Sequence, residues 1–192
     1  MKKILIALLI SGFSFSAFSQ FIKQGSIIGG GSFDFSTEKV KDSDAKGSSF
    51  SLIPWAGYLV MDNLVVGANL EVGNSTFESG PPSDFTTKDN SFLFGPLVRY
   101  YLDQGLFVHG QYNFGSSKST TEFTGSSNTN KYGLSQYRLG VGYAARITDT
   151  VLFEPVLGYY SRTDKDKSDD SKSTVGGFFI MGGFTIILKS VQ

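Results

Sequence analysis

The chain has 192 residues, of which 40% are hydrophobic, with 23 Gly, 18 Phe and 9 Tyr, enough for one sizeable β-rich domain and requiring no second. Its 17 basic and 17 acidic side chains cancel, which leaves no nucleic-acid footprint. Cysteine is absent, which excludes a disulfide framework and a lipid anchor carried on a cysteine.

The first stretch, "MKKILIALLISGFSFSAFSQ", sets Lys2 and Lys3 ahead of an apolar run from Ile4 to Ile10, with the small residues Ala17 and Ser19 just before Gln20. That order predicts a secretory signal peptide, residues 1–19, cut before Gln20. The apolar run is far shorter than the roughly 20 residues a spanning helix needs. Residues 20–192 are then the mature domain, and loss of Lys2 and Lys3 leaves it 15 basic against 17 acidic groups, a net charge of −2.

After Gln20 the alternation has period 2, and it predicts eight strands: 26–38, 48–60, 64–79, 89–102, 106–123, 131–147, 151–163 and 174–189. The second, fourth and sixth are followed by "MDN" (61–63), "DQG" (103–105) and "TDT" (148–150), which read as tight hairpin turns. The other connections, 39–47, 80–89, 124–130 and 164–173, are longer and hydrophilic. Eight antiparallel strands with short turns at one end and long polar loops at the other predict an all-β, up-and-down transmembrane β-barrel with both termini at the short-turn, periplasmic end.

Within the third predicted strand, Leu64, Val66, Ala68, Leu70 and Val72 share one face, and Val65, Gly67, Asn69, Glu71 and Gly73 share the other. The fifth and sixth strands divide in the same way. A soluble barrel would turn its apolar parity inward and carry Lys and Glu along the outer one. Here the polar parity is Gly-rich with isolated charges, which suits a cramped lumen. An arginine on the lipid face at the membrane midplane costs about 2–4 kcal/mol. Asp34, Asn69, Glu71, Arg99, His109, Gln111, Arg138, Arg146 and Glu154 are therefore assigned to a lumen polar network, along with Asn113 and Gln136. The interior of an eight-stranded barrel is just filled by side chains, so a plug is expected. Depth from the turns suggests Glu154 with Arg99 or Arg146, and Glu71 with Arg138. Tyr58, Tyr100, Tyr143 and Phe153 are placed in one aromatic girdle, and Phe92, Tyr112, Phe114, Tyr132 and Tyr159 in a second.

With these strands, turns and inward Glu and Arg residues, the chain from 21 to 190 resembles the small eight-stranded outer-membrane barrels of the OmpX and Ail type and the transmembrane domain of OmpA. The pieces "WAGYLV", "LGVGYAARI" and "EPVLGYY" are similar to barrel proteins of the Bacteroidota. The resemblance implies a monomer in the outer membrane of a Gram-negative envelope, in contact with its lipid and lipopolysaccharide and inserted by the barrel-assembly machinery. Members of this group usually end in an aromatic residue that the machinery reads, whereas this chain ends "FTIILKSVQ", so either the signal is internal, near Phe184 to Leu188, or assembly depends less on the last residue.

No catalytic constellation is evident. The only histidine, His109, falls on the inward parity close to a turn, whereas a hydrolase of surface lipid needs its histidine facing outward near the loop end. No metal-ligand spacing is present, and "DKDKSDD" (164–170) reads as a solvated loop, so no metal and no cofactor are expected. The expected function is a non-enzymatic scaffold presenting four extracellular loops. The alternatives are a narrow channel for small or apolar solutes and a soluble exported ligand-binding barrel.

Overall fold

The computed structural model describes residues 22–39, 45–80, 85–123 and 125–189; the predicted signal peptide lies outside them. Nine strand segments run β1 Ile27–Lys39, β2 Lys46–Met61, β3 Leu64–Glu78, β4 Phe85–Tyr101, β5 Leu106–Phe123, β6 Ser126–Tyr143, β7 Ala145–Arg146, β8 Val151–Asp166 and β9 Lys172–Lys189. Each pairs antiparallel with its chain neighbour, except that β6 pairs directly with β8 and the two-residue β7 merely continues β6 along it. Pairing of β1 with β9 closes a ring of 8 strands. This seam is short: its ladder runs from Ile27–Lys189 to Ser32–Gly183, whereas β5 and β6 pair from Leu106–Tyr143 to Phe123–Ser126.

Alternation decides the two faces. Leu70, Val72, Val98, Val108 and Leu139 are exposed on the outside, while Val65, Asn69, Glu71, Leu97, Arg99 and His109 are buried within. The apolar exterior ends at a ring of aromatic residues toward the loop end: Phe35, Phe50, Phe92, Phe114, Tyr137, Tyr159 and Phe178 are all exposed. Two positions further out on the same strands as Phe50, Phe92, Phe114 and Tyr137 stand Ser48, Asn90, Ser116 and Ser135. An apolar belt bounded by aromatics, around a polar interior, is inside-out relative to a soluble barrel.

The turns follow their residues. Asn63 and Gln104 adopt left-handed conformations (φ 66° and 73°), and Gln104 lies in a single 3-10 turn over Asp103–Gly105. Gly95 and Gly115 are required by close approach, since a Cβ there would overlap the carbonyl oxygens of Tyr112 and Phe92 on the adjacent strands.

The strands are longer at the loop end than alternation predicts: β6 begins at Ser126 and β8 continues to Asp166, so segments expected as loops are paired ladder. Both faces of a hairpin that rises beyond the apolar belt meet water, so the hydrophobic alternation disappears although the backbone ladder continues. Cross-strand polar pairs sustain it, including Thr87–Thr121 at 3.2 Å, Thr163–Thr174 at 3.0 Å and Lys88–Glu122 at 3.0 Å.

Candidate functional site

The interior has four levels. At the turn end Ile22, Ile28, Leu59, Val65, Phe107 and Leu152 form a dry floor. The segment before β1 closes it, because Ile22 and Asn63 exchange hydrogen bonds: Asn63 N–H donates to Ile22 O at 3.2 Å and Ile22 N–H to Asn63 Oδ1 at 3.4 Å.

Directly above, inward alternation on β4, β5 and β8 brings Arg99, His109 and Glu154 together. Arg99 Nη1 pairs with Glu154 Oε2, and both side chains are almost wholly buried. Glu154 also accepts from Tyr101 Oη at 2.7 Å and Thr185 Oγ1 at 2.6 Å, so its charge is held by three donors. Arg99 Nε donates to His109 Nδ1 at 3.1 Å. Because arginine has no acceptor, Nδ1 must accept, and the ring proton sits on Nε2, 3.0 Å from Gln111 Oε1. The guanidinium carbon lies 4.1 Å from the Trp55 ring centroid and 5.2 Å from that of Phe107. A cation between aromatic faces, with Nε and Nη1 both hydrogen-bonded, has little freedom to leave.

In the third level Arg138 Nη2 donates to Glu71 Oε1 at 2.9 Å, with Phe179 beside the guanidinium. Asn69 and Asn113 are buried here with side-chain amides that no protein group partners, as are Gln111 Nε2, Gln136 Oε1 and Glu71 Oε2. Such groups call for buried water.

Beyond Glu71 the lumen widens into a cup of about 420 Å³, lined by Ser51, Ser75, Asp89, Ser91, Ser117, Ser119, Tyr132, Arg162 and Asp164. Arg162 holds Asp164 through two bonds, at 2.7 and 2.8 Å, and Ser75 Oγ donates to Asp89 at 3.3 Å. No group of three potential metal ligands occurs among the described residues.

No protein-family model and no curated protein sequence matches the chain. Solved structures do resemble it. The translocator domain of the autotransporter NalP from Neisseria meningitidis matches at a TM-score of 0.53 and 16% identity, over 96% of this chain and 67% of that one. This chain has the fold of a transmembrane β-barrel. Neisserial surface protein A matches at a TM-score of 0.45 and 14% identity over 86% of this chain and 98% of its own. The N-terminal β-barrel domain of Pseudomonas aeruginosa OprF matches at 0.36 and 15%, over 85% and 98%. At these identities the likeness is one of fold.

The barrel brings Asn69, Glu71, Arg99, His109, Gln111, Arg138 and Glu154 into its interior. It does not bring Arg146 there. β7 keeps the register of β6 on β8, so Arg146 stands opposite Leu152, two positions nearer the turn than Glu154, and is exposed at the turn-end rim. Asp34 lies on β1 opposite Ser51, and its side chain is outside the described residues. Tyr132, expected in the outer girdle, shares the parity of Leu134 and Gln136 and lines the cup. Tyr137, absent from that expectation, takes an outer-ring place. Three interior groups went unassigned in the sequence: Trp55, Tyr101 and Thr185. Each sits on an inward parity, and Trp55 and Tyr101 read there as ordinary apolar fillers.

Proposed function

We propose that this chain is an integral outer-membrane protein, exported on the signal peptide 1–19, whose barrel is a non-enzymatic scaffold for the polar hairpins at its loop end. The turn end would face the periplasm and the loop end the exterior. The observation that carries the reading is the filled lower lumen: a dry floor capped by the Arg99–Glu154–Tyr101–Thr185 cluster separates the cup from the turn end. A conducting path would have to displace both.

A scaffold of this kind sediments with the outer membrane, migrates faster on detergent gels before boiling than after, and gives no reproducible conductance in planar bilayers. Recovery as a soluble periplasmic protein would refute the membrane reading. Discrete single-channel steps would favour transport instead. Lipid, lipopolysaccharide and the barrel-assembly machinery are the partners this location supplies.

A further inference from the structure

On the outer wall, just beyond the aromatic ring, Lys118 of β5 and Lys131 of β6 are direct cross-strand partners on the same exposed face. Like charges in that relation repel. A third cation joins them: Lys167 N–H donates to Lys131 O at 3.1 Å, which docks the β8–β9 turn onto β6. The stem of Lys167 runs beside Gly133, its Cε 4.0 Å from where a Cβ there would stand. The three lysines line one groove of about 500 Å³, with Asn90, Ser116 and Phe92. Among the described residues no carboxylate pairs with any of the three, whereas Lys88, Lys46 and Lys165 each have one.

We propose that this groove binds the phosphate-bearing headgroup of a membrane lipid. Phe92 and the ring at its level mark where acyl chains end, so the lysines stand at headgroup height. A bound phosphate relieves the Lys118–Lys131 repulsion and accepts from several ammonium donors, while Asn90 and Ser116 offer hydrogen bonds to ester or hydroxyl oxygens. Long stems lying along the outer wall can keep the charged ends of the three exposed lysines at the interface. The proposal rests on the membrane location given above and deepens it.

The test uses the full mature barrel reconstituted in phosphatidylcholine bilayers, with spin-labelled phosphatidic acid and spin-labelled phosphatidylcholine as probes of the motionally restricted lipid shell. The expected result is a preference for phosphatidic acid of about tenfold at one site per barrel. The triple variant Lys118→Gln, Lys131→Gln, Lys167→Gln should reduce it to near parity, and Lys88→Gln should leave it unchanged. Equal association of the two lipids, a preference that survives in the triple variant, or its abolition by millimolar inorganic phosphate would each overturn the proposal. Heat-dependent migration on gels shows that each variant is folded. If the membrane reading itself fails, the protein does not enter the bilayer at all; if only this inference fails, it enters without lipid preference.

Discussion

Replacing Glu154 by alanine is expected to destabilise the barrel more than any other single truncation in its interior. Glu154 is 3% exposed and the guanidinium of Arg99 against it is equally shielded, so the variant leaves a buried cation without its counter-charge. Breaking a buried pair in this way costs about 3–5 kcal/mol. Tyr101 and Thr185 also lose their shared acceptor, which holds the loss toward the upper end of that range. With a urea slope of about 2 kcal/mol per molar, the unfolding midpoint should fall by about 2 M. The single tryptophan, Trp55, is the built-in reporter, because its ring lies on the Arg99 guanidinium and changes environment when the cluster opens. The double variant Arg99→Met, Glu154→Leu removes both charges and should recover most of the loss. A loss under about 1 kcal/mol for Glu154→Ala, or a double variant no more stable than the single, would refute the reasoning.

Leu70→Arg places a charge on the apolar belt and should cost about 2–4 kcal/mol in lipid-vesicle refolding, whereas Ser75→Arg, two turns of the alternation beyond Glu71, faces the cup and should cost far less. Gly95→Val should block closure outright, read as loss of the heat-dependent gel shift, because its side chain would enter the Tyr112 carbonyl. Backbone amides of β1 beyond Ser32 and of β9 before Gly183 that face the seam, not β2 or β8, should exchange with deuterium sooner than those of β5 and β6, since the closing ladder stops there. In the β8–β9 turn, hydrogen bonds from Ser171 hold the Asp169 carboxyl below its usual range. A depressed folded value means the turn gains from that bond above the ordinary carboxylate range and loses it as pH falls through the folded value; a carboxyl titration by NMR reads this directly.

The faces of the barrel were legible because a strand has period 2 and lipid tolerates no charge, so Leu64 to Val72 declare one surface and Asn69 and Glu71 the other. Strand ends at the loop side were not, since Ser126 to Asn130 carry no alternation and still pair through their backbone. Inward contacts depend on shear, which sequence does not encode locally. Glu154 had both Arg99 and Arg146 at comparable height, but Arg146 pairs with Leu152, two positions nearer the turn than Glu154, and stands exposed at the rim. Tyr101 and Thr185 carry hydroxyls on inward positions, so a search for hydroxyl partners of each inward carboxylate could have found them. The lysine groove required the β8–β9 turn to fold back on β6, a contact between residues 36 positions apart, Lys131 and Lys167.

The central claim is that the barrel is inside-out, and nitroxide accessibility along one strand tests it most directly. The chain has no cysteine, so single cysteines at Leu70, Val72, Asn69 and Ser75 can be labelled without background. In lipid vesicles, labels at Leu70 and Val72 should be relaxed by oxygen and shielded from a water-soluble nickel chelate, and the label at Asn69 should be shielded from both. The label at Ser75, in the cup, should meet the chelate. Oxygen access at Asn69 with chelate access at Leu70 would contradict the account.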